Sequence, residues 1–326
     1  MRLLVTGATG FLGQELVPRL RKAGHHVHCL SRHGPLHGDI TRPDLGLRWP
    51  LKVDAVIHVA ALVSFREADR AALLEANTRG TYNVVAFCRR RHIRRLIHVS
   101  TAYICGDARG TWTEEDFDQH QRFNNPYEMS KFWGEAYVRE AVHNKVLEAT
   151  IVRPAILVGR SSDGRATAFE GFYHPLKAVL TCQRLAERVL PPRAQVERAL
   201  HLPPLPLDIK IRGDPLGTLN LGPVDWAAQK MVELLETPGT YHLTNPFPPT
   251  NQAVAREVTR GLGIRGFQFR VRPRHDPLSD IYNRLVRHFS PYLWGEPVFA
   301  SSVADNFPVL DLGRIIGFWR EYAGGN

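Results

Sequence analysis

TGATGFLG, residues 6–13, follows the apolar run Met1, Leu3, Leu4 and Val5. Gly7, Gly10 and Gly13 stand at three-residue intervals. This is the G-x-x-G-x-x-G spacing in which a strand turns sharply into a helix and leaves backbone N–H groups facing a pyrophosphate. A plain tight turn would accommodate three glycines equally well, so the register of the following chain has to separate the two readings. As a dinucleotide loop, the stretch would use Gly7, Thr9, Gly10, Phe11, Leu12 and Gly13.

Outward from this loop the pattern alternates. Leu3 to Thr6 reads as a strand, Phe11 to Lys22 as a helix and His26 to Leu30 as a second strand. Strand Ala55 to Val59, helix Arg70 to Phe87, strand Leu96 to Val99, helix Tyr127 to His143 and strand Ala149 to Val152 continue the rhythm. Short apolar strands separated by helices predict an α/β chain, a Rossmann-type doubly wound parallel sheet covered on both faces. A ligand then binds outside the carboxyl ends of the strands, where the glycine loop lies. From about residue 160 the alternation lapses and prolines bunch: Pro191 and Pro192, then Pro203, Pro204 and Pro206, then Pro246, Pro248 and Pro249. The expected organisation is a core over residues 1–160 and a smaller, irregular, substrate-binding region over 161–326. One segment near 220–245, with a helix from Val224 to Leu235, returns to the core.

A chain of 326 residues with 44% hydrophobic content is long enough for a full core. The N-terminal apolar stretch breaks at Thr6 and Gly7, and no apolar run approaches the roughly 18 residues of a membrane span. A cytoplasmic protein without an integral membrane segment is expected. Cys29, Cys88, Cys105 and Cys182 form no C-x-x-C pair, which fits free thiols rather than a disulfide framework or a zinc site. The net charge of +10 and pI near 9.7 invite a nucleic-acid reading. The densest cluster, Arg89, Arg90, Arg91, Arg94 and Arg95, lies between a helical pattern and a strand pattern. Cations there complement the negative end of a helix, so a solvated loop is favoured over nucleic acid. Diffuse positive charge also suits a phosphate-bearing substrate such as coenzyme A, or an acidic carrier protein.

The second strand speaks to the cofactor. About 20 residues past such a loop, a carboxylate binds the ribose 2′-hydroxyl of NAD, whereas an arginine accommodates the 2′-phosphate of NADP. Counting from Gly13 lands on Leu30, Ser31, Arg32 and His33. An arginine is present and a carboxylate is not, which favours NADP(H) over NAD(H), with Ser31 and Arg32 as phosphate contacts. His25, His26, His28 and Cys29 do not suggest a metal site, because strand alternation puts His26 and His28 opposite His25 and Cys29.

Two further segments carry chemistry. HVSTAYICG, residues 98–106, ends a strand in the hydroxyls of Ser100 and Thr101. NPYEMSKFWGE, residues 125–135, puts Tyr127 and Lys131 four apart at the start of a helix, on one face. A nearby ammonium is expected to lower the phenol's pKa and make it a proton donor or acceptor near neutrality.

The order of these segments resembles the extended short-chain dehydrogenase/reductases over roughly residues 1–160. TGATGFLG, GDI at 38–40, HVAA at 58–61, NTRGT at 77–81, STAYICG, YEMSK and RPAILVG at 153–159 carry the likeness. VIHVAALVSF, HVSTAY and VRPAILVGRSSDGR are most similar to the thioester reductase and fatty acyl-CoA reductase branch. The resemblance implies Thr101 as catalytic hydroxyl, since the family counts it five residues before the glycine, here Gly106, with Ser100 on the cofactor side. It implies Tyr127 as acid/base, Lys131 as holder of the nicotinamide ribose and Asn77 as the family's further catalytic asparagine. Asp39 and Ile40 would flank the adenine, His58, Ala60 and Ala61 would pass under the pyrophosphate and ribose, and Pro154, Ala155 and Ile156 would cover the nicotinamide. Asn220 to Asp225 and Phe169 to His174 are expected as substrate-side walls. Cys105, where a tyrosine is common, and a shortened C-terminal region leave the substrate's chain length open; Cys105 itself reads as a small buried hydrophobe. Relatives dimerise through the helices matching Arg70 to Phe87 and Tyr127 to His143, which implies a homodimer.

The expected activity is hydride transfer from NADPH to an acyl thioester on coenzyme A or a carrier protein, giving aldehyde or alcohol. A ketone or secondary-alcohol oxidoreductase of the sterol or flavonoid type is the alternative, and a non-catalytic NADP-sensing protein a third reading, disfavoured by the Tyr/Lys pair.

Overall fold

The computed structural model describes residues 1–47, 51–189, 206–273 and 275–324; Pro191, Pro192, Pro203 and Pro204 lie outside the described residues. Two compact units divide the chain. The first takes residues 1–155, 222–246 and 297–308, the second 156–221, 247–296 and 309–326.

The first unit is built on β1 (Arg2–Thr6), β2 (His26–Ser31), β3 (Leu36–His37), β4 (Ala55–His58), β5 (Arg95–Val99), β7 (Glu148–Pro154) and β11 (Gly239–Leu243). They form one sheet in the order β11-β7-β5-β4-β1-β2-β3, parallel at every pairing. From β1 the chain runs outward to β2 and β3, then crosses back to β4 on β1's other side. This reversal makes the carboxyl ends of β1 and β4 the topological switch point, where an open parallel sheet has its ligand crevice.

Leu3, Leu4 and Val5 are all fully buried, so both faces of the sheet are covered. One face carries α1 (Phe11–Lys22), against which α5 (Val224–Glu233) packs after β10 (Leu221–Pro223). The other carries α2 (residues 70–90) and α3 (Pro126–His143). There Leu4, Val56, Leu96 and Ile151 meet Val84, Phe87, Val138 and Ala141 in one hydrophobic cluster. Within α2, Leu74–Arg79 widens to a π-helical stretch that periodicity did not foretell.

Residues 297–308 also belong to this unit. β13 (Val298–Phe299) pairs with β6 (Thr111–Trp112), and Phe307 packs on Trp226 with ring centroids 4.7 Å apart. Arg89, Arg90, Arg91 and Arg94 are exposed and precede β5, whose first residue is Arg95, at the sheet edge opposite the glycine turn. Arg90 pairs with Asp44, and Arg95 lies 4.0 Å from Glu148.

The second unit contains more regular structure than its proline bunches suggest. It holds β8 (Ile156–Val158), α4 (Tyr173–Val189), α6 (Asn251–Leu262), α7 (Pro277–Leu285) and α8 (Leu312–Gly324), and β9 (Pro206–Arg212) pairs in parallel with β12 (Arg265–Arg270). Thr250 Oγ1 caps α6 by accepting from the Ala253 N–H at 3.2 Å, and Gly263 ends it in the left-handed region. All four cysteines are free, with Cys105 buried. Among the described residues no helix is long and apolar enough to cross a membrane.

A fully buried ion pair ties α3 to β7. Arg153 donates to Glu135 Oε1 through Nη2 at 2.7 Å and to Oε2 through Nε at 3.2 Å, and Arg139 adds a third bond at 2.8 Å. Burial opposes the charge on Glu135, but Arg153 outweighs it and holds the carboxyl below its usual range. Removing one member of such a pair leaves an uncompensated buried charge. Arg153→Met is therefore expected to lower stability by about 3 kcal/mol, and the double variant Glu135→Leu/Arg153→Met to recover most of it, read from urea midpoints.

Candidate active site

Gly7 lies in the left-handed region at φ 73°, and a Cβ on it would sit 2.5 Å from the Ala60 backbone nitrogen. A Cβ on Gly13 would meet the Gly7 carbonyl oxygen at 2.1 Å. Both positions therefore exclude any side chain, and the turn after β1 presses against the chain leaving β4. Gly10 begins α1 with no side-chain cap, and the first turn holds no acidic residue. The positive end of α1 is thus left to whatever anion approaches it.

Below the turn, a buried polar layer lies one step beyond the hydrophobic cluster. Thr6 and His58 are register partners on adjacent strands, so they share the α2/α3 face. Four hydrogen bonds fix its directions. Thr81 donates to the Asn77 carbonyl at 2.6 Å, so it must accept from His58 Nε2, 3.1 Å away. His58 Nδ1 then accepts from Thr6 Oγ1 at 2.8 Å, and Thr6 accepts from the Ala60 N–H at 3.3 Å. Burial, then the nearby Lys131 charge, holds the His58 pKa down to about 3, so the ring stays neutral. Both ring nitrogens are occupied by threonine hydroxyls. His98, the register partner of His58 on β5, is also fully buried and held neutral by burial.

Asn77, within the π-helical stretch, is almost fully buried. Its Oδ1 accepts from the Leu62 N–H at 2.8 Å, while Nδ2 donates to the Leu62 carbonyl and to Ser130 Oγ, both at 2.9 Å. Ser130 in turn donates to the Tyr127 carbonyl at 2.8 Å. The asparagine amide thus ties the β4 loop to the turn of α3 that holds the tyrosine. The resemblance implies this residue as the family's further catalytic asparagine; its amide is hydrogen-bonded to Leu62 and Ser130.

Thr101 ends the stretch after β5, buried, with its side chain close enough to the Tyr127 phenol to favour the phenolate. It also accepts from the Tyr103 N–H at 3.3 Å and reaches the Pro154 carbonyl at 3.5 Å. α3 starts at an Asn125 cap, which accepts from the Glu128 N–H at 3.0 Å, and Glu128 reaches back to accept from the Asn124 N–H at 2.7 Å. One turn past Tyr127, Lys131 is buried and donates to the Val99 carbonyl at 2.6 Å. Burial lowers its pKa to about 8, against a raising effect of Glu135.

The phenol's acidity differs from expectation. Tyr127 is raised to about 12, first by burial and then by the Glu128 charge, with the Thr101 side chain opposing. The ammonium is turned to a backbone carbonyl on β5, so shared helix face does not translate into phenolate stabilisation. Glu135, one further turn along α3, was missed although Tyr127, Lys131 and Glu135 repeat at i, i+4 and i+8.

The remaining expected residues are placed unevenly. Thr9 and Gly10 are exposed, Phe11 half-buried and Leu12 buried. Ser31 ends β2, Arg32 is exposed beside it, and Arg32 lies close enough to Asp39 for its charge to act on the carboxylate. Asp39 Oδ1 accepts from the Thr41 backbone and hydroxyl, each at 2.9 Å, so its first task is a local turn. Ile40 packs on the hydrophobic cluster against Gly80. Ala60 is half-buried and Ala61 exposed, Ser100 and Pro154 are buried, and Ala155 donates its N–H to the Leu243 carbonyl at 3.1 Å. Ile156, Phe169 to His174, Asn220 and Leu221 belong to the second unit, and Gly222 to Asp225 to the first.

A family model described as the NAD dependent epimerase/dehydratase family matches residues 3–175, just over half of the chain. The chain belongs to that family, the extended short-chain dehydrogenase/reductases. It is 34% identical over 178 residues to sterol demethylase protein B of Methylococcus capsulatus, covering 49% of this chain and 52% of that protein. It is 32% identical over 173 residues to 2-alkyl-3-oxoalkanoate reductase of Stenotrophomonas maltophilia, again covering 49% and 52%. These alignments span about half the length of each relative. Among solved structures, the fold matches the terminal R domain of the myxalamid PKS-NRPS biosynthetic pathway at TM-score 0.74 and 22% identity, covering 99% of this chain and 90% of that one. It matches a thiolation-reductase di-domain from an archaeal non-ribosomal peptide synthetase at TM-score 0.71 and 19% identity, covering 100% and 91%.

The raised phenol has a direct readout. The ultraviolet difference spectrum between the wild type and Tyr127→Phe is expected to show no tyrosinate band at pH 10, where an ordinary tyrosine is about half ionised.

Proposed function

We propose that the chain is an NADPH-dependent reductase of acyl thioesters carried on coenzyme A or a carrier protein, yielding aldehyde or alcohol. The observation that carries this reading is the buried Thr101 side chain beside the Tyr127 phenol, with Lys131 one turn further along α3. The glycine turn fits a dinucleotide: its cradle is kept open at Gly7 and Gly13, where a Cβ would collide with backbone, and the end of α1 carries no cap of its own.

In this reading the backbone of Gly7, Thr9, Gly10, Phe11, Leu12 and Gly13 holds the pyrophosphate, and Ser31 with Arg32 the 2′-phosphate. Asp39, Ile40, Ala60 and Ala61 line the adenosine, Lys131 holds the nicotinamide ribose, and Ser100, Pro154, Ala155 and Ile156 border the ring. When bound, the dinucleotide supplies the hydride. The chain handles the oxygen. Thr101 and Tyr127 donate hydrogen bonds to the carbonyl oxygen as it gains charge, and Tyr127, protonated throughout the neutral range, gives it a proton. With a thioester, the resulting hemithioacetal expels thiol and leaves an aldehyde, which a second round reduces to alcohol.

The thiolation-reductase di-domain and the R domain support the thioester reading through fold likeness along nearly the whole chain. The net charge of +10 suits a phosphate-bearing or acidic carrier. A ketone reductase is the second reading, favoured by the sequence likeness to 2-alkyl-3-oxoalkanoate reductase. The half-exposed Tyr82 on α2 and Trp133 on α3 support a homodimer through these helices, which sedimentation tests.

Three outcomes are expected. NADPH oxidation with an acyl-CoA releases one free thiol per aldehyde, read with a chromogenic disulfide, and Tyr127→Phe slows it by about 100-fold or more; consumption of NADPH by ketones alone would replace this reading with the second. The rate of reduction falls as pH rises through about 8, because Lys131 loses its proton there while Tyr127 keeps its own, and Lys131→Met removes that limb from the pH profile. Arg32→Ala raises KM for NADPH by about tenfold and leaves KM for NADH unchanged, as expected for one charged hydrogen-bond partner of the phosphate.

A further inference from the structure

We propose that the loop leaving β4 is the selectivity wall for the substrate: Leu62, Val63 and Phe65 flank the approach to the Tyr127 hydroxyl and choose an apolar acyl chain. The proposal rests on the reductase reading and names its substrate class.

The loop joins the two halves of the site. At one end the Ala60 nitrogen lies against the glycine turn, 2.5 Å from where a Gly7 Cβ would stand. At the other, the Phe65 ring lies 6.0 Å from the Tyr127 ring. Between them Leu62 and Val63 are 39% and 41% exposed, two consecutive aliphatic side chains kept in water. They cannot readily fold inward. The Leu62 peptide is held at its N–H and its carbonyl by Asn77, and Ser64 donates to Asp69 at 2.6 Å. The charges beyond are paired locally, Arg66 with Asp69 and Arg70 with Glu67. A rigid, uncharged, aliphatic surface at a site of carbonyl chemistry suits hydrocarbon far better than a sugar or another polyol, whose hydroxyls would find no partners on these side chains.

The test is kcat/KM with NADPH across two homologous series, straight-chain acyl-CoA thioesters and straight-chain methyl ketones, for the wild type and the near-isosteric double variant Leu62→Asn/Val63→Thr. Both positions are exposed, and a thermal melt checks that the variant folds. For wild type, kcat/KM is expected to climb by about twofold to fourfold per methylene, the gain from covering a CH₂ group. In the double variant the climb flattens toward none. A gradient seen only among ketones, and flattened by the variant, keeps the wall and overturns the thioester reading. Acyl-CoA turnover with no gradient, or with one the variant leaves intact, overturns the wall and keeps that reading. Turnover of neither series overturns both.

Discussion

The close approach between the turn after β1 and the chain leaving β4 is the constraint on which the first unit's site depends. No side chain fits at Gly7, because Ala60 occupies the space. That contact is then carried inward by hydrogen bonds of defined direction, from Ala60 to Thr6, to His58, to Thr81 and to the carbonyl of Asn77. From the Asn77 side chain the path runs through Ser130 to the first turn of α3, where Tyr127 sits. A buried path along which each donor meets an acceptor holds one arrangement, since a slipped register would leave its groups unpaired in the interior. The glycine turn and the tyrosine, 120 residues apart in sequence, are thereby set by one connected structure.

The electrostatics of the site follow from burial more than from sequence neighbours. Tyr127 and Lys131 share a helix face, yet burial moves each toward its neutral form: the phenol up to about 12 and the ammonium down to about 8. Glu135 partly restores the lysine's charge and is itself held ionised by Arg153. A proton donor that keeps its proton at neutral pH matches carbonyl reduction, where the oxygen must be protonated as charge develops on it.

The position of the residues on the sheet explains why so few of them need large side chains. At the switch point the backbone itself faces outward, and glycine, alanine and the open end of α1 leave room for a dinucleotide to lie against main chain. The bulkier apolar groups, Leu62, Val63 and Phe65, come only in the next loop segment, toward the tyrosine. The basic cluster around residues 89–95 lies at the opposite sheet edge, so its charge is remote from this chemistry.

Local pattern carried most of the first unit. Alternation of apolar strands with helices determined the parallel sheet, α1 over Phe11–Lys22 and the order of the motifs, because period-2 and period-3.6 burial is written residue by residue. The spacing of Gly7, Gly10 and Gly13 and of Tyr127 and Lys131 was legible for the same reason. Only the tertiary structure decided what distant side chains do to one another. It gave the Asn77 amide to Leu62 and Ser130, both ring nitrogens of His58 to threonines, and the Asp39 carboxylate to Thr41. It raised a phenol expected to be acidic, drew residues 297–308 onto the first unit, and built helices where prolines had suggested irregular chain. Burial and long-range pairing are properties of the packed interior, set by segments tens to hundreds of residues apart, and no local window of sequence contains them.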